Sequence, residues 1–424
     1  MPDIKFRVPL LKKISGDFMY TISAVLVLNI VQQLLIQPYV NRVMGAEYLG
    51  NMLYYLGLTY VFPQMFGVVL GNQRILYKYN QQVTNGDFLV ILGGYGVIAA
   101  LIGGIDAYIK TKDIFFALAI ALFMFICTLR YYGQVEYRLN LLFKGYLIYF
   151  LILSVGYLVG LIPFHFVHQW IYIFIFGEIA SVVFVLVRGS VFRPTKPGPM
   201  LKKLWLPTTL LVISYLLSST SYLDRIVIKT TLGDLAVSQY YAVSLFSKII
   251  SMLVHPLATL MLSYLADRKT SGVTLQFFKK TTVYSVIGCV VLTAGCCIGT
   301  PIAVYILYPN LMDVVPALNL PVNVGSVLGF AGYLMLVFLL TEASVNYQLL
   351  IRGVCFVVYL VCTFGLTVRY GLTGYVYATI ISNGFCFVFA VICGMHFFKK
   401  KERLAAEQER IMEEKARLEA DQDQ

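Results

Sequence analysis

Lys248, Glu178, Arg225 and Asp224 lie inside or at the mouth of long apolar runs, and polar residues recur around them at regular intervals. Ser214, Ser218, Ser221 and Arg225 are spaced 4, 3 and 4, and Ser244, Lys248, Ser251 and His255 repeat that spacing. Asn29, Gln33 and Gln37 stand four apart, with Gln32 beside them. Intervals of three and four put side chains on one face of a helix, so three apolar runs each carry one wet stripe. The chemistry on offer is binding rather than bond-making. Ammonium and guanidinium groups neutralise an anion such as phosphate, while hydroxyls and amides hydrogen-bond to sugars. Serines alone are equally well explained as bonds between helices. Lys248 shifts the balance. It falls about 15 Å along its helix at 1.5 Å per residue, near the midplane, where inserting a lysine costs roughly 2.5–3.5 kcal/mol. It calls for a hydrated cavity or a carboxylate. Glu178, at similar depth, is the candidate partner; otherwise it lines the cavity as a proton site or packs elsewhere.

Asp224 and Arg225 close their run at the outer interface. Either they anchor that interface, or Arg225 continues the wet stripe to the outer mouth as an exit-side contact. In the second case Asp224 holds Arg225 or carries a coupling ion. Arg42 is the mate of Arg225 in the first half of the chain. Arg74 ends the second run and Arg352 opens the eleventh, both on the inner side. Both are placed to receive a phosphate from the cytoplasmic leaflet, and both also fit the ordinary excess of basic residues there. The substrate-binding candidates are therefore Lys248, Arg225, Arg74, Arg352, Ser244, Ser251 and Gln33; the coupling candidates are Glu178 and Asp224.

These residues need a membrane to position them. The 424-residue chain is 59% hydrophobic and 13% charged, against about 25% charged in an ordinary soluble protein, and its mean hydropathy is +0.78. A bilayer crossing takes ~20 apolar residues. Such runs fall at 17–37, 50–72, 88–109, 113–130, 144–164, 168–188, 204–224, 237–264, 281–308, 321–343, 347–368 and 373–397. With the N-terminus inside, 26 of the 33 Lys and Arg lie on inner segments and 6 on outer ones, leaving Lys248 within a span. That asymmetry is the positive-inside pattern, and it puts both termini in the cytoplasm and the chain in the cytoplasmic (inner) membrane. The first run follows Lys5, Arg7, Lys12 and Lys13 and lacks a small-residue cleavage site, so it reads as a helix rather than a signal peptide. The net charge of +12 is an orientation signal and an attraction to anionic inner-leaflet lipid, not a nucleic-acid footprint.

The segment RGSVFRPTKPGPMLKK, 188–203, divides the spans six and six. The expected organisation is an N-terminal six-helix lobe over 1–190, a cytoplasmic linker over 191–203, a C-terminal six-helix lobe over 204–398 and a charged tail over 399–424. In the tail Leu404, Ile411 and Leu418 stand seven apart, yet the positions between them that would complete a coiled-coil seam are polar, so a solvated helix is expected. The eight cysteines are scattered without zinc-site spacing. No Gly-rich loop precedes a Lys-Ser or Lys-Thr, which argues against an ATPase. No cofactor and no enzyme activity are expected.

The two halves echo each other. PYVNRVMGAEYLGNMLYYLGLTYVF and SYLDRIVIKTTLGDLAVSQYYAVSLFSKI each run from Arg through a short turn and Leu-Gly to a Tyr-Tyr pair. Repeats with an even number of spans insert the same way up, related by an axis along the membrane normal, with substrate sites between them. Together with Pro38, Arg42 and Gly45, the Asp224-Arg225 pair and the terminal RYGLTGYVYATIISN, this layout resembles the polysaccharide-flippase branch of the multidrug/oligosaccharidyl-lipid/polysaccharide (MOP) exporter superfamily. The resemblance implies an all-α polytopic fold, with twelve transmembrane helices in a V-shaped pair of lobes. It implies movement of an isoprenoid-pyrophosphate-linked oligosaccharide from the inner to the outer leaflet by alternating access, coupled to proton or sodium. The partners implied are the lipid-linked oligosaccharide, membrane lipid, and a polysaccharide polymerase or glycosyltransferases. Lipid II flippases carry two more helices. A cation-coupled multidrug exporter is the second reading, disfavoured because mid-membrane acids are scarce. A membrane-embedded polysaccharide polymerase or ligase is the third, disfavoured by short, nearly uncharged outer segments.

Overall fold

A computed structural model describes residues 7–78, 80, 82–218, 220–267, 274–342 and 345–422, and these are helical almost throughout, with no strand among them. The described residues of the twelve expected apolar runs are helical almost throughout. Nine helices among the described residues are long and apolar enough to cross a membrane, or ten if one bent pair forms a single span. The chain is thus a multi-pass membrane protein. One of the nine, Leu350–Met412, is 63 residues long, far beyond a single crossing of ~20 residues.

The chain divides into two compact units, Met1–Ser238 and Gln239–Gln424. In the first, α1 (Arg7–Asn29), a π-helical segment (Ile30–Ile36) and α2 (Gln37–Met44) run on with helical dihedrals at each junction. Then follow α3 (Ala46–Leu76), α4 (Asn85–Thr111), α5 (Ile114–Gly133), the short α6 (Val135–Leu139), α7 (Phe143–Val167) and α8 (Ile171–Arg188). Helix α3 is the hub: it packs on α4, α5, α9 (Leu201–Ser218) and α10 (Thr220–Leu232), and 78% of its most apolar window is buried. An element apolar on all faces buries itself among other helices. Helices α7 and α8 meet through small residues. A Cβ on Gly156 would stand 2.4 Å from the Gly177 Cα, and one on Gly160 would stand 2.4 Å from the Ile173 carbonyl oxygen. Close backbone approach through a Gly-x-x-x-Gly face is a common membrane packing mode, because apolar burial gives no net drive between helices in lipid.

Segment 189–200 lacks regular structure, yet it is pinned in detail. The Glu136 carboxylate accepts the backbone N–H of Ser190 at 2.7 Å and of Val191 at 2.9 Å. Asn85 Nδ2 donates to the carbonyls of Ser190 and Arg193, the Gly86 N–H donates to Thr195 Oγ1, and the Thr84 hydroxyl donates to the Lys196 carbonyl. Asp87 both closes the capping box with Thr84 at the start of α4 and accepts the Gly198 N–H. The strap thereby lies along the ends of α4, α6 and α8.

In the second unit, α12 (Leu275–Leu307), α13 (Val315–Glu342) and α14 (Val345–Gln422) pack on one another around Phe278, Met335, Ala390 and Phe398. Helix α14 is broken at Gly371 (φ 64°) and runs on through the charged tail. Amide side chains join the helices: Asn323 Nδ2 donates to Thr300 Oγ1 at 3.1 Å, and Asn383 Nδ2 donates to the Gly325 carbonyl at 2.9 Å. Helix α11 (Asp234–Asp267) opens in the first unit and continues into the second.

Candidate functional site

Helix α5 is apolar up to its last turn, where Arg130 turns inward instead of out to the solvent; α8 presents Glu178 to it. The Arg130 Nε lies 2.8 Å from Glu178 Oε2, and Nη2 donates to Oε1 at 3.2 Å. The residues are 5% and 1% exposed. Tyr157 of α7 donates to the same carboxylate at 2.6 Å, and Tyr149 donates to the Arg130 carbonyl at 2.7 Å. The guanidinium also stacks 3.5 Å from the Tyr131 ring. A buried ion pair needs this degree of satisfaction to offset its desolvation. Glu178 therefore meets Arg130, where the sequence reading had looked to Lys248 as the partner.

A second buried cation stands on α10. Arg225 is 6% exposed, donates to the Leu53 carbonyl of α3 at 3.4 Å, and lies 5.5 Å from the centre of the Tyr60 ring. Asp224 Oδ1 accepts the Arg225 N–H at 2.7 Å. Tyr60 lies within electrostatic reach of both Arg225 and Arg130. The π-helical segment delivers Gln32 here, its Nε2 donating to the Tyr60 hydroxyl at 2.5 Å, while Gln33 Nε2 donates to Asn29 Oδ1 at 3.1 Å one turn back. Single-turn π insertions are frequent at functional sites. The bent pair of helices flanks the same residues: Leu201–Leu217 and Tyr222–Leu232 meet at 66°.

In the second unit the Lys248 ammonium stands 5.4 Å from the ring centres of both Tyr240 and Tyr241, which is cation–π range. Ser244 is fully buried, with its hydroxyl donating to the Tyr241 carbonyl at 3.2 Å, so that hydroxyl is occupied within its own helix. The side chains of Ser218, Ser221, Ser251 and His255 lie outside the described residues. Arg74 donates to Asn85 Oδ1, stacks 4.9 Å from the Phe88 ring, and borders a cavity of about 70 Å³ with Tyr77, Lys78, Val83 and Leu139. Arg352 is half-buried, within electrostatic reach of Tyr333. Arg42 is exposed while Arg225 is buried, so the two repeat mates differ in setting.

Arg130, Tyr60 and Tyr157 escaped the sequence reading. Arg130 had been counted among inner-side basic residues. The available signal was a basic residue leading a Tyr-Tyr pair at the end of an apolar run, two helices before an intramembrane acid that requires a partner. Among the described residues no group of three or more His, Cys, Asp or Glu could hold a metal ion.

Solved structures share this architecture. The lipid II flippase MurJ in an inward closed conformation matches at a TM-score of 0.64 and 15% identity, over 90% of this chain and 87% of that one. An outward-facing multidrug resistance MATE family transporter of the MOP superfamily matches at 0.60 and 14%, over 92% and 95% of the two chains. A MOP superfamily transporter from Pyrococcus furiosus matches at 0.59 and 14%, over 92% and 96%. At such identities the likeness is one of fold. No family model matches the chain. No curated protein matches it by sequence.

Proposed function

We propose that this chain is a transporter, and specifically a flippase that moves an isoprenoid-pyrophosphate-linked oligosaccharide from the inner to the outer leaflet of the cytoplasmic membrane. It crosses twelve times with both termini in the cytoplasm, and its lobes, 1–190 and 204–398, alternate access on either side of the 191–203 linker. Arg74 and Arg352 meet the pyrophosphate on the cytoplasmic side; Lys248, with Ser251, holds it midway; Arg225 and Gln33 pass it outward. Glu178 and Asp224 couple the movement to a proton or sodium ion. Glycosyltransferases or a polysaccharide polymerase supply or consume the cargo.

The observation that carries this reading is Arg225, a guanidinium 6% exposed within an apolar helical bundle, facing the ring of Tyr60, whose hydroxyl accepts the Gln32 amide. Groups of that kind suit a phosphorylated sugar lipid better than a cationic drug. Further support comes from a fold held in common with a lipid II flippase. Physics favours the direction. An inside-negative potential is worth ~2.3 kcal/mol per charge per 100 mV, so a cargo carrying about two charges is driven outward by roughly 4–5 kcal/mol per 100 mV.

The test is a flipping assay in proteoliposomes with a short-chain polyprenyl-pyrophosphate oligosaccharide under a clamped potential. Lys248→Ala should abolish movement without affecting insertion, Lys248→Arg should retain part of it, and Arg225→Ala should weaken cargo binding by about tenfold or more, the loss of a charge-assisted hydrogen bond. Full transport by the Lys248→Ala protein would remove that residue from the pathway. Export of an organic cation with no movement of the lipid would replace this reading with the multidrug one.

A further inference from the structure

We propose that the strap, residues 188–203, is a docking surface for anionic phospholipid headgroups; the proposal rests on the membrane orientation given above. The segment carries Arg188, Arg193, Lys196, Lys202 and Lys203, all exposed, and no acidic residue. The carboxylates beneath it, Asp87 and Glu136, are buried and occupied by strap N–H groups. Its outer face is accordingly cationic, and among the described residues none of its five basic side chains is in an ion pair. A general excess of basic residues on the inner side explains their presence, but not two features of how they are mounted.

The first is rigidity. Segment 189–200 has no helix of its own, yet Glu136, Asn85, Gly86, Thr84 and Asp87 fix it at successive residues. Five charges held in place form a surface, whereas a loose loop would scatter them. The second is the placing of Lys202 and Lys203 in the first turn of α9, which holds no acid. The N-terminus of a helix carries partial positive charge and favours anions there. Two lysines at that end repel it unless an external anion lies against them. Trp205 follows, 44% exposed, its ring 5.8 Å from that of the buried Tyr95. An indole beside a basic cluster at a helix end is the arrangement of a membrane–water interface. The partner that fits is a row of lipid phosphates with acyl chains beneath, taken by the basic groups and Trp205 respectively.

The experiment uses the full chain in mixed phosphatidylcholine and phosphatidylglycerol vesicles, without cargo. Spin-labelled lipids report which headgroup is held at the protein boundary. The wild-type chain should prefer phosphatidylglycerol, and high salt should erase the preference. The variant R188Q/R193Q/K196Q/K202Q/K203Q should lose that preference by roughly tenfold or more, a conservative figure for five neutralised surface charges. The equally charged tail variant K399Q/K400Q/K401Q/R403Q/R410Q should keep it. The strap's anchoring bonds use backbone and Thr195, so they survive the substitutions; should the fivefold variant fail to fold, R193Q/K196Q and K202Q/K203Q are read separately for partial losses. Quenching of Trp205 by brominated phosphatidylglycerol but not by brominated phosphatidylcholine is the second readout. Equal loss in strap and tail variants, or none in the strap variants, would overturn the proposal. Because no cargo is present, that result leaves the flippase reading untouched, and a failed flipping assay leaves this one untouched.

Discussion

Arg130 and Glu178 form a buried ion pair, so removing one partner differs sharply from removing both. Breaking a buried pair typically costs about 3–5 kcal/mol, because the remaining charge is stranded, while replacing both with apolar residues is often neutral. Glu178→Gln should therefore lower the thermal unfolding midpoint of the purified protein clearly, and Arg130→Met/Glu178→Met should restore most of it. If the pair also couples transport to an ion, the double variant stays stable yet loses the pH or sodium dependence of flipping. A stable double variant with an unchanged transport profile would make the pair purely structural. Only part of this was legible in the sequence. An acid in an apolar run announces itself, and Glu178 did. Its partner stayed hidden because depth along a straight helix was used to rank the candidates. A guanidinium on a long, flexible stem reaches past its nominal depth, and the Tyr157 and Tyr149 hydroxyls make the meeting point hospitable.

The elements were more legible than the residues. Apolar runs of bilayer length are dictated by the solvent, and their described residues proved helical almost throughout. What the runs conceal is departure from regular helix. The π segment at Ile30–Ile36, the 66° bend beyond Leu217 and the break at Gly371 all fall within expected spans or at their edges. Such departures depend on which carbonyl each N–H chooses, and apolar periodicity does not record that choice. The strap was equally opaque: the segment read simply as a linker, since the bonds that fix it come from Thr84, Asn85 and Glu136, distant in sequence. Helix packing yields a prediction at this scale. Because Gly156 and Gly160 bring α7 against the α8 backbone, Gly160→Leu should force the helices apart. Overpacking of this kind costs typically ~1–3 kcal/mol, and here it should also pull Tyr157 from Glu178. The expected result is a lowered unfolding midpoint with reduced transport, and Gly160→Ala should do less harm. A Gly160→Leu protein as stable as wild type would contradict the packing.

Across the first unit, one face of α3 holds the elbow between α10 and α11 along its length. The Ser238 hydroxyl donates to the Ala46 carbonyl at 2.5 Å. A Cβ on Gly50 would stand 1.9 Å from the Asp234 carbonyl oxygen, so the two backbones touch there. Lys229 pairs with Asp234 and faces the Tyr54 ring at 5.8 Å, while the Tyr54 hydroxyl donates to Asp106, itself bridged to Lys110 at 2.9 Å. Arg225 completes the series at Leu53. In the proposed orientation this is the outer side, and in the proposed division the elbow belongs to the second lobe. Alternating access then requires the seam to part whenever the outer mouth opens. Its charged pairs are partly exposed, and such pairs are worth about 0–1 kcal/mol each. Lys229→Ala should thus loosen the seam without abolishing transport, since many weak contacts suit a joint that must open repeatedly. A covalent seam is another matter. Cysteines at Ala46 and Ser238, joined by oxidation, should stop flipping, and reductant should restore it; each single cysteine should transport normally under both conditions. Undiminished flipping by the oxidised pair, with the crosslink verified by mass spectrometry, would mean that this seam stays shut throughout the cycle and that cargo leaves by another route.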